Sequence, residues 1–181
     1  DSHSSLAMIP SDSSRLWSVE LKPFIDVANA GVDAIMIAHV HAPDFQPESD
    51  IPATLSKFWV TDILKNKIGY KGIIITDGMG MGGVTKNYAD DYAIIEAVKA
   101  GCDVIIQNYD IVGSINAIED AVKNNEISIE QINSSALKML KMKENAGLHL
   151  NPFVDLDFMM KTIGIKEHKE ASDRISTEAI T

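Results

Sequence analysis

A single cysteine, Cys102, stands in 181 residues, so no intramolecular disulfide can form, a state that fits any compartment and identifies none. It is expected to pack in the core. Lysine and arginine never cluster into a basic stripe and the net charge is −10, so the electrostatic footprint of a nucleic-acid or anionic-membrane binder is missing. Apolar runs such as Ile73-Ile74-Ile75 are short beside the roughly 20 residues a bilayer-spanning helix needs. No signal peptide and no initiator methionine precede Asp1-Ser2-His3, and the chain stops at Ala179-Ile180-Thr181 within a helical pattern, so both ends are expected to be cuts in a longer polypeptide.

What is present is the balance of a globular domain, 45% hydrophobic and 23% charged. Three apolar, β-branched segments recur, at Val32 to Val40, Gly72 to Thr76 and Asp103 to Gln107. Helical periodicity predicts helices over Leu16 to Asn29, Thr54 to Lys67, Ala89 to Ala100, Gly113 to Lys123 and Ile129 to Asn145. The last carries Ser128 as N-cap with Gln131 three residues on, and Gly147 past its end. Continuous apolar strands alternating with amphipathic helices indicate an α/β fold, because only a parallel sheet covered on both faces buries strands that are apolar on both sides. A closed (β/α)8 barrel needs about 250 residues, so three βα units describe either part of such a barrel or a small open sheet. After Asn151-Pro152 a loop is expected through Asp155 and Asp157, then a charged helical linker from Lys166.

In parallel α/β folds chemistry gathers where loops follow the strand C-termini. These places are Ala38-His39-Val40-His41, Thr76-Asp77-Gly78-Met79-Gly80-Met81-Gly82-Gly83 and Gln107-Asn108-Tyr109-Asp110. Asp77 directly follows Ile-Ile-Ile-Thr, so a buried strand would hold its carboxylate while Gly78 and Gly80 let the backbone turn away. That suits nucleophilic attack on a sugar carbon; the ordinary alternative is a turn-forming aspartate. His39 and His41, two apart on a strand, would point the same way and could share a metal. Gly78, Gly80 and Gly83 formally match G-x-G-x-x-G, but Asp77 would repel phosphate and no helix follows at once, so a flexible turn is expected. Asp1 and His3, with Asp12 nearby, form a polar opening segment in which a carboxylate could orient an imidazole. Met139 and Met142 follow helical spacing with Leu137 and Leu140 and read as core.

Taken in order, these segments resemble glycoside hydrolase family 3, in its β-N-acetylglucosaminidase branch, from Asp1 to about Leu150. Asp1-Ser2-His3-Ser4-Ser5-Leu6 resembles the family's loop after the fifth barrel strand, and Glu20-Leu21-Lys22-Pro23-Phe24 the helix after it. Met36-Ile37-Ala38-His39-Val40 resembles the sixth strand and Pro52-Ala53-Thr54-Leu55-Ser56 the approach to the sixth helix. Gly69 to Met81 resembles the seventh strand, with Asp77 at the nucleophile's place. Ala100-Gly101-Cys102-Asp103 resembles the approach to the eighth.

The resemblance implies a partial (β/α)8 barrel over residues 1–150, about its last three βα units, and a helical linker over 151–181 toward a second, α/β sandwich domain. It implies a retaining glycosidase that removes terminal β-linked N-acetylglucosamine from peptidoglycan or chitin fragments. Asp77 would be the nucleophile, with His3 as acid/base oriented by Asp1 in place of the glutamate other branches bring from outside the barrel. His39 and Met79 are the expected sugar contacts. No metal, cofactor or nucleic acid is expected, and the partner is a carbohydrate. Phosphate could replace water as acceptor. The family's first five strands are absent here, so the piece alone is expected to be inactive. The alternatives are a metal-dependent amidohydrolase with His3, His39, His41 and Asp77 as ligands, and a non-catalytic carbohydrate-binding remnant.

Overall fold

A computed structural model describes residues 1–46, 50–107 and 109–180. The chain divides into two compact units, Asp1–Met142 and Lys143–Thr181. The larger is a mixed α/β unit whose strands are parallel. Strand β1 (Ala7–Met8) leads to a turn α1 (Ser13–Arg15), a wide-turned π segment (Leu16–Glu20) and α2 (Lys22–Asn29). Strands β2 (Ala34–Ile37) and β3 (Val40–His41) precede a second π segment (Phe58–Lys67) and β4 (Ile73–Gly78). Then come a short turn α3 (Gly82–Thr85), α4 (Asp90–Ala100), β5 (Val104–Ile106), α5 (Ile111–Lys123) and α6 (Ile129–Asn145).

The central sheet has the order β2-β4-β5. Ile35 and Ile74 face each other in register and are buried against Val60, Leu64 and Cys102, so the isoleucine-rich runs become strands because both faces find apolar cover. Cys102 is a core residue, its thiol pushed up to about 12 by burial. Helix α4 starts with Asp90 and Asp91 at the positive end of its dipole and stops at Gly101, whose φ of 115° is the left-handed cap an L side chain resists. Asp110 caps α5 by accepting from the Gly113 N–H at 2.8 Å, and Ser128 caps α6 through Gln131 N at 3.1 Å.

Three sequence expectations for the larger unit are corrected. The single strand over Val32 to Val40 is broken in two: β2 pairs with β4, whereas β3 pairs with β1 in a separate two-stranded sheet, Ala7 opposite Val40. The break falls at Ala38-His39, where the imidazole turns inward to buried partners. The helix over Leu16 to Asn29 is interrupted because Pro23 has no N–H to continue the ladder, and it opens α2 instead. Thr54 to Lys67 likewise splits, a tight turn at Ala53–Leu55 preceding the π segment.

The smaller unit holds the end of α6 and helices α7 (Leu156–Thr162) and α8 (Lys166–Glu178). The loop expected through Asp155 and Asp157 is a helix: Asp155 accepts from Phe158 N at 3.0 Å as N-cap, and Asp157 lies in the first turn. No helix among the described residues is long and apolar enough to cross a membrane.

Candidate active site

Strand β4 delivers Asp77 through a local irregularity. Its pairing with β5 runs from Ile75 opposite Val104 to Gly78 opposite Ile106, so β4 carries one residue more than its partner over that stretch. The Thr76 hydroxyl fills the gap by accepting from Ile106 N at 2.9 Å, while Met79 N reaches Ile106 O at 2.9 Å. Bulges of this kind re-aim a side chain at a strand end. Asp77 is half-buried, and its Oδ1 accepts from the following Gly78 N–H at 2.7 Å.

The Asp1-Ser2-His3 segment is a tight turn. Asp1 O accepts from Ser4 N and Ser5 N, each at 3.1 Å. Asp1 Oδ1 lies 3.0 Å from His3 N and 3.0 Å from His3 Nδ1. A carboxylate accepts, so His3 Nδ1 carries the proton and Nε2 of the neutral ring keeps its lone pair for exchange. Both side chains are largely exposed, 71% for Asp1 and 80% for His3, so this pair adds little to stability and faces solvent.

The backbone joins the two halves. Gly82 N donates to His3 O and Gly83 N to Ser2 O, both at 3.0 Å, laying the Asp-Ser-His turn on the segment that begins five residues after Asp77. The glycine-rich stretch, expected to be a flexible turn, is therefore closed by specific contacts. The ring of Tyr109 also lies where a Cβ of Gly80 would stand. Sequence reasoning left Gly82 without a role and read Gly83 only as part of a flexible turn, because the signal is tertiary: only the facing backbone shows why a side chain is excluded.

The structure places the two expected sugar contacts inside. His39 is completely buried, with Nδ1 2.8 Å from Thr54 Oγ1 and Nε2 3.0 Å from Gly78 O. Burial holds its pKa below 6.5, outweighing the Gly78 carbonyl and the Asp77 charge, which both favour protonation. The ring is thus neutral, and Nε2–H donates to Gly78 O. Thr54, itself fully buried, was expected only as part of the approach to a helix, and its contact with His39 is visible only in the fold. Met79 is 3% exposed and packs with Leu55, Val84 and Ala93.

His41 belongs to another network. Its Nδ1 is 3.1 Å from Gln46 Oε1, which also accepts from Trp59 Nε1 at 2.8 Å. His39 and His41 therefore serve different partners, and among the described residues no group of three His, Cys, Asp or Glu is placed to hold a metal. Asp12 is spent on capping α1 through Arg15 N at 2.8 Å. Of the third strand end, Asp110 caps α5, and Asn108 lies outside the described residues.

Comparison with known proteins identifies the family of the larger unit. Residues 1–142 match the family described as "Glycosyl hydrolase family 3 N terminal domain". The chain is 27% identical to "Beta-hexosaminidase A" of Pseudoalteromonas piscicida over all of this chain and 33% of that protein. It is 34% identical to "Beta-hexosaminidase" of Idiomarina loihiensis over 66% of this chain and 35% of that protein. Among solved structures, a glycoside hydrolase family 3 β-N-acetylglucosaminidase from Paenibacillus superposes with a TM-score of 0.80 at 33% identity, covering 86% of this chain and 30% of that one. The chain spans about a third of the length of these relatives.

Proposed function

Because the chain belongs to glycoside hydrolase family 3, we propose that it supplies the catalytic groups of a retaining β-N-acetylhexosaminidase, one that removes terminal β-linked N-acetylglucosamine from peptidoglycan or chitin fragments. In this reading residues 1–150 are the last βα units of a (β/α)8 barrel and residues 151–181 lead toward a second domain.

The observation that carries the reading is the Asp1–His3 pair, its turn hydrogen-bonded to the segment after Asp77. Asp77 Oδ attacks the anomeric carbon as the bond to the leaving oxygen breaks, and His3 Nε2–H of the imidazolium gives that oxygen its proton. The ring, now neutral, next takes a proton from water, whose oxygen displaces Asp77 and returns the sugar with its original configuration. Asp1 holds Nδ1–H throughout and stabilises the charged ring, as a carboxylate does in a hydrolase triad. Most retaining enzymes of this kind use two carboxylates; an imidazole keeps a second negative charge away from the glycosyl-enzyme. Asp77 Oδ1 accepts the Gly78 N–H, which helps to fix the orientation of the carboxylate. The buried His39 and Met79 support the strand end from behind rather than meeting solvent.

The test is stereochemical. The full-length protein acting on an aryl β-N-acetylglucosaminide, followed by proton NMR, should release the β-anomer first. Initial release of the α-anomer would overturn the covalent route. Activity should also persist in a chelator; loss restored by zinc would favour the metal-dependent alternative.

A further inference from the structure

We infer that Gly82 and Gly83 form a clasp that seats the acid/base turn, making them positioning residues for proton transfer by His3. The inference rests on the reading of His3 given above.

Two independent features point to it. The first is donation: consecutive backbone N–H groups, at the start of the short turn α3, each bond a carbonyl of the Asp-Ser-His turn at 3.0 Å. The turn's own bonds, Ser4 N and Ser5 N to Asp1 O, fix its shape but not its place on the protein. Its side chains contribute little anchoring, since Asp1 and His3 point into solvent. The Gly82 and Gly83 bonds therefore register His3 against the element that carries Asp77.

The second feature is space. A Cβ on Gly82 would stand 2.6 Å from Ser4 O and 2.8 Å from His3 O, and a Cβ on Gly83 would stand 3.0 Å from Ser2 O and 3.0 Å from His39 Cβ. For Gly82 the opposing atoms are backbone, so even alanine requires the turn to lift by a fraction of an ångström or more. Neither glycine has a positive φ, so close approach, not backbone conformation, demands glycine here. An acid/base group works only within hydrogen-bond reach of the atom it serves, about 2.6–3.2 Å. A displacement of about 1 Å can cost on the order of 10²-fold in rate. The loss should appear in kcat, because the clasp touches the turn and not the sugar.

The experiment compares Gly82→Ala, His3→Ala and the double variant in the full-length protein. Substrates are an unactivated N-acetylglucosamine disaccharide and a nitrophenyl β-N-acetylglucosaminide. Gly82→Ala should lower kcat on the disaccharide about 10-fold to 10²-fold with little change in KM, while a fluorinated glycosyl reagent still labels Asp77, showing that strand and nucleophile are intact. On the nitrophenyl substrate it should give a burst followed by slow turnover, as His3→Ala does. In the double variant the Gly82 substitution should add almost nothing to the loss from His3→Ala. Losses that multiply, or a Gly82→Ala enzyme with full turnover on the disaccharide, would overturn the clasp while leaving His3 in its role. Full turnover of His3→Ala would instead overturn the underlying reading, and the clasp with it. A second measurement needs no variant: amide hydrogen exchange should find Gly82 and Gly83 N–H protected in the parent protein. Exchange at open-loop rates at both sites would also overturn the clasp.

Discussion

Two aspartates sit at opposite ends of one pair of parallel strands. Asp103 precedes β5, at the N-terminal edge of the sheet, and its side chain is 3% exposed. It accepts from Ile74 N at 3.0 Å, the Ser135 hydroxyl at 2.7 Å and Lys138 Nζ at 2.8 Å, while Lys138 also donates to Gly72 O at 3.0 Å. Asp77 ends β4 at the other edge, half-buried, taking the Gly78 N–H on one oxygen beside an irregular register. The first carboxylate is buried and takes three donors from two elements, strand β4 and helix α6, so it serves as a structural tie between them. The second, half-buried, takes a backbone N–H on one oxygen and keeps acceptor capacity for the nucleophile's role proposed above. In parallel α/β folds the loops after the strand C-termini gather the chemistry, and the two carboxylates divide along that line.

The largest test of the contrast replaces each aspartate by asparagine in the full-length protein. Asp77→Asn should cost on the order of 10⁴-fold or more in kcat, because an amide is a poor nucleophile, while leaving the unfolding midpoint nearly unchanged. Asp103→Asn should do the reverse. It places an amide donor among donors and leaves Lys138 without its counter-ion, at a cost of about 2–3 kcal/mol in urea unfolding, with kcat of the folded fraction little altered. If Asp103→Asn destroyed kcat without changing stability, the division between the edges would be wrong.

A smaller effect probes the residue behind Asp77. The unfolded chain protonates His39 near pH 6.5, whereas burial holds the folded pKa lower. The unfolded state therefore binds more protons below that value, so this contribution to stability is full above pH 6.5, declines as pH falls below it, and levels off once the folded pKa is passed. Urea midpoints should drop between pH 7 and pH 5, and His39→Gln should flatten that part of the profile. An unchanged profile would mean that His39 is not held neutral.

The sequence made one edge far easier to read than the other. The run Gly72 to Thr76 is apolar, β-branched and preceded by a glycine, and it became β4 with Asp77 at its end, as local pattern alone predicts. Helices α4, α5 and α6 were legible through their periodicity, and α6 also through its Ser128 cap, whereas Asp110 read as a strand-end candidate and proved to be the cap that starts α5 two residues early. What stayed hidden depends on contacts between distant segments. Val32 to Val40 reads as one strand, yet His39 is drawn to Thr54 and Gly78, 15 and 39 residues away, and the strand divides there. Strand β1 has only two residues and no periodicity of its own. The hub at Asp103 joins residues up to 35 positions apart, and no spacing announces it. Gly82 and Gly83 look like loop glycines until the facing carbonyls are seen.

The central claim, that the open end of β4 presents a nucleophile, is tested most directly by trapping. A 2-deoxy-2-fluoro or 5-fluoro glycosyl reagent of the N-acetylglucosamine series should inactivate the full-length protein with loss of its leaving group. Peptide mass spectrometry should then find one sugar bound to Asp77. Label on any other carboxylate, or turnover without an accumulating adduct in either reagent series, would contradict the account.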